Sequence, residues 1–269
     1  MAVEFTRFPT SKQAGDALFN ELRKYLGEGT EYHVDEETES VAERTATSPY
    51  VVMLAGGSTP MQVYRRLAAE PPRRVHPAAH LMLSDDRYVP ATDERSNYHH
   101  IRPLAHALGL PDERVVHVDA DRPLPEAVSD FGGRIAGLAG RDAIFALAVL
   151  GIGGDGHTAS LFSTAAVDAS SPGQVLGDGQ DPGVGTGTLL PVPQERLAVH
   201  TGVHGGVDRV SVGAAVLLSF RKVVFFATGE GKRDILYELS RRPENYPAGR
   251  ILLHHPNATI WTDEAPRVR

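Results

Sequence analysis

The residues best suited to proton transfer lie in a glycine-rich loop at residues 151–160, directly after the most apolar run of the chain. Asp155 and His157 flank Gly156 there, on a backbone that glycine allows to turn tightly. Histidine exchanges a proton near neutral pH, and a neighbouring carboxylate fixes its tautomer and raises its basicity. The loop indicates His157 as a general base oriented by Asp155, although a lone histidine is more often structural.

The same loop invites a dinucleotide-binding interpretation, because Gly151, Gly153 and Gly156 satisfy the Gly-x-Gly-x-x-Gly pattern. That pattern needs an acidic residue about 20 positions further on, at the end of the next strand. Here the position falls inside a stretch rich in Gly and Pro. We therefore predict no nicotinamide cofactor and no other cofactor.

A second loop, at residues 56–60, joins a predicted strand to a predicted helix. Gly56 and Gly57 let the backbone approach a ligand closely. Ser58 and Thr59 add hydroxyl groups, and the helix N-terminus attracts an anion. Pro60 stands where a nucleophile elbow requires glycine, and no lysine follows at the Walker A offset. An anion-binding loop and an ordinary turn with a Ser or Thr helix cap both remain open.

Two further places carry cationic side chains near predicted strand ends. Arg87 follows Asp85 and Asp86, where it is able to hold a phosphate bidentately with either carboxylate orienting it. A surface ion pair is the alternative for this cluster. Lys232 opens a predicted helix after a glycine-rich turn, where it either reaches an anion or is solvated.

The elements that must position these loops alternate between short apolar runs and amphipathic segments. The apolar runs predict strands at residues 50–55, 81–83, 115–118, 143–150 and 223–227. The amphipathic segments predict helices at residues 11–26, 61–69, 97–108, 125–138 and 232–239. This alternation predicts an α/β fold, with a parallel sheet covered by helices on both faces. Ligands bind beyond the carboxyl ends of such strands, so we expect the loops to meet at one site.

The chain length of 269 residues fits one large α/β domain or two small ones, and we predict a single domain over residues 1–269. A stretch at residues 165–193, dense in Gly, Pro, Ser and Asp, interrupts the alternation. We predict a flexible loop there. Because it follows the histidine loop, a lid over the site is an equal alternative to simple disorder.

The composition excludes several classes of protein. The chain has no Cys, which excludes disulfide scaffolds, all-thiolate zinc sites and a thiol nucleophile. Its 27 basic and 34 acidic side chains give a formal net charge of −7 without a basic block, which argues against nucleic-acid binding. No apolar stretch reaches the roughly 18–20 residues of a membrane span, and no signal peptide is visible. The sequence predicts a soluble, cytoplasmic protein.

Histidine pairs raise the question of a metal site. His76/His80 and His200/His204 have the i, i+4 spacing of helical metal ligands. Pro77 follows His76 directly, glycines surround the second pair, and no third ligand is apparent. We therefore predict no metal and interpret these histidines as structural or solvated.

At three segments, residues 56–60, 85–97 and 151–162, the sequence resembles the 6-phosphogluconolactonases and, more distantly, the glucosamine-6-phosphate deaminases and ribose-5-phosphate isomerases. Residues 56–60 look like the family's Gly-Gly-Ser-Thr-Pro phosphate loop, and residues 151–162 look like its Gly-x-Gly-x-Asp-Gly-His-x-Ala-Ser-Leu-Phe motif. Residues 85–97 are similar to its Asp-Glu-Arg-x-Val-Pro stretch leading to Ser-Asn. Arg209 and Lys232 lie in further segments that follow the family's order.

The chain departs from the family pattern at three places. Asp86 stands where the family usually has Glu, and Ser163 replaces a Pro. The lysine usual shortly before the strand of Arg209 is missing. One phosphate or carboxyl contact of the family therefore lacks its usual residue, and Arg87, Arg209 or Lys232 could replace it.

The resemblance implies a modified Rossmann-like parallel-sheet sandwich of the sugar-phosphate isomerase and lactonase type. It implies hydrolysis of 6-phospho-D-glucono-1,5-lactone to 6-phosphogluconate in the oxidative pentose phosphate pathway, with His157 and Asp155 activating water. The partner is then a small phosphorylated sugar lactone, with neither nucleic acid nor membrane, and the protein is expected to be a monomer or weak dimer. The implied binding residues are Gly56, Gly57, Ser58, Thr59, Arg87, Arg209 and Lys232.

Other functions remain open. A glucosamine-6-phosphate deaminase or sugar-phosphate isomerase would use the same scaffold, but deaminases usually read Asn-Glu-Pro where this chain has Ser160, Leu161 and Phe162. A non-catalytic sugar-phosphate sensor would keep the loop at residues 56–60 without using His157. A serine hydrolase is the weakest option, since both the elbow and an ordered triad are lacking.

Overall fold

The fold is organised around a parallel sheet of seven strands. A computed structural model describes residues 3–27, 48–170, 184–189 and 192–265. In sheet order the strands are β1 (Glu4–Arg7), β10 (Ala258–Thr262), β9 (Lys222–Phe226), β6 (Ile144–Leu150), β2 (Tyr50–Leu54), β3 (Ala79–Leu83) and β5 (Val115–Val116). Because every pair is parallel, the carboxyl ends of the strands lie at one edge of the sheet.

Each face of this sheet has its own apolar core, because successive strand residues point to opposite faces. Val51 and Met53 of β2 lie in one core, whereas Val52 and Leu54 lie in the other. The first core is covered by α4 (Leu124–Ala139), α5 (Thr164–Ser170), α6 (Ala214–Ser219), α7 (Arg233–Arg241) and α8 (Pro247–His254). The second is covered by α1 (Ser11–Leu26), α2 (Ser58–Ala69) and α3 (Asn97–Ala107). Within the described ranges no helix combines the length and apolar character that a bilayer span needs.

The predicted α/β arrangement is confirmed, and most elements lie close to their predicted bounds. Helix α1 has the predicted limits, and β6 is buried along its whole length, as an uninterrupted apolar run predicts. The strand predicted at residues 115–118 is shorter, since only Val115–Val116 pairs with β3. Helix α2 begins at Ser58, earlier than the predicted residue 61.

A small antiparallel sheet is not predicted by the sequence pattern. Its strand order is β4 (Asp85–Arg87), β8 (Val207–Val212) and β7 (Ala198–His204). Strand β4 is short and wholly charged, and β8 carries charged residues at Asp208 and Arg209, so neither gives an apolar strand signal. The short outer strand β1 and its neighbour β10 are also missing from the prediction.

The flexible loop predicted at residues 165–193 is wrong at its start, because that part belongs to α5. Ser163, which departs from the family's Pro, accepts the N–H of Ala166 on its Oγ at 3.2 Å and so stabilises the first turn. Residues 171–183 and 190–191 lie outside the described residues, and the lid over the site stays a prediction.

Candidate active site

The loops singled out by sequence meet at one cleft beyond the carboxyl ends of the strands. The cleft has a volume of about 470 Å³. Asp155 is not among the lining residues but contacts His157. The residues that line the cleft include every other predicted site residue, namely Gly56, Gly57, Ser58, Thr59, Arg87, His157, Arg209 and Lys232.

The loop after β2 runs directly into the N-terminus of α2. The helix N-cap is Gly57 at φ 107°, and Ser58 and Thr59 are already helical, so the alternative of a Ser or Thr cap is wrong. Gly56 lies against Asn97, and a Cβ on Gly56 would stand 2.0 Å from Asn97 Oδ1. Because a glycine cap has no side chain to bond to the first N–H groups, these groups and the two hydroxyls are suited to an anion.

Asp86 fastens β4 to the N-terminus of α3. Its carboxylate accepts the backbone N–H of Asn97 at 2.6 Å and of Tyr98 at 3.0 Å, together with the Ser96 hydroxyl at 3.0 Å. It also accepts the backbone N–H of Arg87 at 2.8 Å. Burial raises the pKa of Asp86 to about 6, against these hydrogen bonds, which favour the charged form. Asp86 therefore positions the backbone of Arg87 rather than a ligand.

The guanidinium of Arg87 bonds to neutral oxygens and not to the carboxylates that the sequence predicts. Its Nη1 donates to Asn97 Oδ1 and to the Arg95 carbonyl, each at 2.9 Å. Among the described residues neither Asp85 nor Asp86 bonds to this guanidinium, so the prediction that one of them orients it is wrong. Neutral acceptors keep Arg87 in place without cancelling its charge, which leaves a cation for the cleft.

Asp85 connects the strand of Arg87 to the histidine loop. The side chain is buried, accepts the Ser84 hydroxyl at 2.7 Å and accepts the Ser160 hydroxyl at 2.6 Å. Ser160 also donates its backbone N–H to Ser211 Oγ at 3.2 Å. These bonds join β4, β8 and the loop after β6 into one polar unit at the bottom of the cleft.

His157 and Asp155 form a hydrogen-bonded pair at the cleft. Asp155 Oδ1 lies 2.5 Å from His157 Nδ1 and also accepts the backbone N–H of His157 at 3.3 Å. Burial raises the pKa of Asp155, but the hydrogen bonds and charge of His157 outweigh it and lower the pKa overall. With Asp155 ionised, Nδ1 carries the proton and Nε2 keeps the lone pair that a general base needs.

The backbone around His157 leaves room only for glycine at two positions. A Cβ on Gly153 would stand 2.2 Å from His157 Nδ1. Gly156 has φ +83°, and a Cβ there would stand 2.4 Å from the ring of Tyr246. The Gly156 carbonyl accepts the N–H of Ala248 at 3.0 Å, which supports the loop on α8.

Two more cations, Arg209 and Lys232, line the same cleft. Arg209 on β8 stands directly opposite Arg87 on β4, and burial together with the Arg87 charge lowers the pKa of Arg209. Lys232 Nζ donates to the Ile152 carbonyl at 2.5 Å, and burial lowers its pKa against the charge of Asp155. The cleft is therefore positive within a chain whose formal charge is −7.

The sequence matches a known family over most of its length. The family model described as glucosamine-6-phosphate isomerases/6-phosphogluconolactonase matches residues 25–261. The chain belongs to this family. Its fold agrees with this membership: the crystal structure of the Thermotoga maritima 6-phosphogluconolactonase superposes with a TM-score of 0.65 at 23% identity, over 97% of this chain and 98% of that one.

Members of the family from distant organisms are similar over the length of the chain. The 6-phosphogluconolactonase of Haemophilus influenzae is 27% identical over 269 residues, covering 98% of each chain. The human 6-phosphogluconolactonase is 30% identical over 236 residues, covering 82% of this chain and 80% of the human one. The resemblance noted at the three loops thus extends to the whole chain.

The cleft residues that sequence reasoning did not assign to the site include Asn97, Phe162 and His204. Phe162 packs on His157 with ring centroids 4.6 Å apart, and His204 stacks on Phe162 with centroids 3.4 Å apart. The interpretation of His204 as structural or solvated is therefore incomplete. The consecutive glycines Gly205 and Gly206 were the available signal, because they mark a hairpin whose strand carries His204 to the cleft.

The other paired histidines have structural partners. His76 and His80 are buried, and each ring bonds through Nδ1 to the backbone of Ala78, at 3.1 and 2.8 Å. His200 Nε2 lies 2.8 Å from Asp208 Oδ1. In the part of the chain that the structure covers, no group of three or more His, Asp or Glu side chains is arranged to hold a metal.

Proposed function

We propose that the protein hydrolyses 6-phospho-D-glucono-1,5-lactone to 6-phosphogluconate. The observation that carries the proposal is the pair formed by His157 and Asp155, in which Nδ1 lies 2.5 Å from Oδ1. The cleft beside this pair also contains a helix N-terminus and Arg87. An activated base beside an anion site suits an ester whose other end is phosphorylated. Family membership supports it, since similar proteins from bacteria and human are named 6-phosphogluconolactonase.

The phosphate end of the substrate is assigned to the loop after β2 and to Arg87. Backbone N–H groups at the start of α2, with the hydroxyls of Ser58 and Thr59, provide donors for phosphate oxygens. The guanidinium of Arg87 adds a charge-assisted contact. Anchoring this end fixes the lactone carbonyl relative to His157, which converts the attack of water into an oriented, intramolecular-like step.

The chemistry assigned to His157 is general base catalysis. Nε2 takes a proton from water as the oxygen bonds to the lactone carbonyl carbon, and Asp155 stabilises the imidazolium that forms. The tetrahedral oxyanion is stabilised by N–H donors or by a cationic side chain of the cleft. As the bond from the carbonyl carbon to the ring oxygen breaks, the imidazolium returns its proton to that oxygen. The products are the open-chain acid and the free base, without a metal or cofactor taking part.

The decisive experiment follows 6-phosphogluconate formation from freshly made lactone, against spontaneous hydrolysis. The wild-type protein is expected to accelerate the reaction, and His157→Ala is expected to lower kcat by about 10²- to 10⁴-fold. His200→Ala is the matched control, because His200 also contacts a carboxylate but lies outside the cleft lining. A His157→Ala variant with wild-type turnover would refute the assignment of the base.

The isomerase and deaminase branch of the same family is the second candidate, because the matching family model covers both activities. Incubation with glucosamine 6-phosphate and an assay for released ammonia separates the two. Ammonia release without lactone hydrolysis would replace the proposal. Phosphate-sugar binding without turnover of any substrate would instead favour a sensor. Monomeric or weakly dimeric assembly, a single domain and a cytoplasmic location stay predictions.

A further inference from the structure

Strand β7 contains an irregularity that decides which of its side chains reaches the cleft. At its start Val199 pairs with Ser211 and His200 with Val210, but after a register shift Val203 pairs with Asp208 and His204 with Val207. One residue of β7 is therefore extra, and Gly202 within this bulge has φ +85°. If the pairing of Val199 and His200 continued along the strand without this shift, Val203 would stand opposite Val207.

The shift exchanges the faces of two neighbouring side chains. His204 stands opposite Val207, which shares a face of β8 with Arg209, and it lines the cleft. Val203 is turned away and is 62% exposed. An arrangement that exposes an apolar side chain and turns an imidazole inward is unfavourable for packing alone, which points to a role for the imidazole.

The tip of the hairpin holds His204 in this position. Gly205 and Gly206 connect β7 to β8 with φ of +63° and +80°, as a tight hairpin turn requires. The His204 carbonyl accepts Arg209 Nε at 3.2 Å, and the His204 ring lies flat on Phe162. The imidazole is thereby fixed beside the guanidinium of Arg209, on the face of the small sheet that also carries Arg87.

We propose that His204 is a substrate-binding residue that donates a ring N–H to a phosphate oxygen. Arg87, Arg209 and His204 then contact the phosphate from the small sheet, and the α2 N-terminus, which lines the same cleft, provides further donors. This inference rests on the proposed function for the identity of the phosphorylated ligand. The assignment of an anion to His204 rests on the bulge and on its guanidinium neighbours.

The test measures the binding of 6-phosphogluconate, gluconate and inorganic phosphate by calorimetry, which needs no turnover. His204→Ala is expected to weaken the binding of 6-phosphogluconate and phosphate by about 10-fold or more. His204→Lys is expected to retain most of the affinity, because lysine also donates an N–H to a phosphate oxygen. His200→Ala, on the other side of the bulge, is expected to bind like the wild type.

The face that the imidazole occupies is tested by exchanging the two neighbours, in a Val203→His/His204→Val double variant. Because Val203 pairs with Asp208 and is exposed, this variant carries its imidazole on the face turned away from the cleft. It is expected to reproduce the loss of phosphate binding seen in His204→Ala. A circular-dichroism melt of each variant checks that it is folded.

Two results would overturn the inference. One is an unchanged affinity for phosphate and 6-phosphogluconate in folded His204→Ala. The other is a loss that extends equally to gluconate, since that would show a structural role. A wild-type protein that binds phosphate but does not hydrolyse the lactone would contradict the proposed function and leave this test intact.

Discussion

Arg87 and Arg209 stand directly opposite each other across the antiparallel pair β4–β8. Directly opposite residues have Cβ atoms about 5 Å apart, and like charges in that relationship destabilise a sheet. The guanidinium of Arg87 bonds to the neutral oxygens of Asn97 and Arg95, so its charge is not compensated there. A pair of cations kept in this way is suited to a bound anion, which would remove the repulsion.

We therefore expect inorganic phosphate to stabilise the protein. At phosphate concentrations well above the Kd, the midpoint of thermal unfolding should rise by about 5 °C. Arg209→Gln should abolish most of this rise, because the repulsion that phosphate relieves is gone. Arg122→Gln is the control, since Arg122 pairs with Asp119 on the surface. An equal rise with chloride at matched ionic strength would show screening instead of binding.

Asp155→Asn is expected to lower kcat on the order of 10²-fold while KM changes little. The amide removes the charge that stabilises the imidazolium and permits the wrong tautomer of His157. Steady-state kinetics measures both constants. Asp208→Asn, which alters the surface pair with His200, should leave kcat unchanged. A rise in KM alone would place Asp155 in substrate binding.

Gly153→Ala is expected to reduce kcat without unfolding the protein. The added Cβ would stand 2.2 Å from His157 Nδ1, so the ring must leave its place beside Asp155. Gly154→Ala is the matched control, because a Cβ there meets nothing within 4 Å. Kinetics and a melting curve of both variants test this. A fully active Gly153→Ala variant would show that the position of the ring does not limit the rate.

Lys232 is expected to set an alkaline limit on substrate binding. Burial lowers its pKa from the ordinary 10.5, so the ammonium loses its charge at a lower pH than a solvated lysine does. KM should rise as pH increases through this lowered pKa, because the cleft then has one cation fewer. Lys232→Arg should move the rise to higher pH, since arginine stays charged. The pH profile of KM, measured for the wild type and for Lys232→Arg, tests this prediction.

The sign of the Lys232 effect on stability is opposite to its effect on binding. Between the lowered pKa and 10.5 the unfolded chain binds more protons, so the free energy of unfolding rises with pH over that window. Lys232→Met should remove this rise of the free energy of unfolding with pH. An equal slope in wild type and variant would show that the ammonium is not desolvated.

The sequence predicts the parts of the site that depend on local chain geometry. Glycine-rich loops after buried apolar runs locate residues 56–60 and 151–160, because a parallel strand buried on both faces has a strong local signal. The parallel arrangement then requires the loops to converge, and they do. Arg87 and Lys232 were recognisable because each follows a strand end.

The remaining parts depend on contacts between distant segments. Pairing of Asp85–Arg87 with Val207–Val212 joins regions far apart in the chain, and neither segment has the apolar alternation of a strand. Asn97 was missed as the partner of Arg87 because only the docking of α3 on β4 brings them together. His204 was missed because a bulge reverses the side-chain alternation that a regular strand would have.

The 2.6 Å bond between Ser160 and Asp85 has a consequence for the size of the substrate. Asp85 belongs to the strand of Arg87, and Ser160 belongs to the loop of His157, so this contact sets the span between the guanidinium proposed to hold the phosphate and the imidazole proposed as the base. A rigid span accepts molecules whose phosphate and carbonyl are separated by the matching number of bonds. Shorter or longer phosphorylated lactones would then bind with the carbonyl out of reach, and selection by length would come from a buried contact that need not touch the substrate.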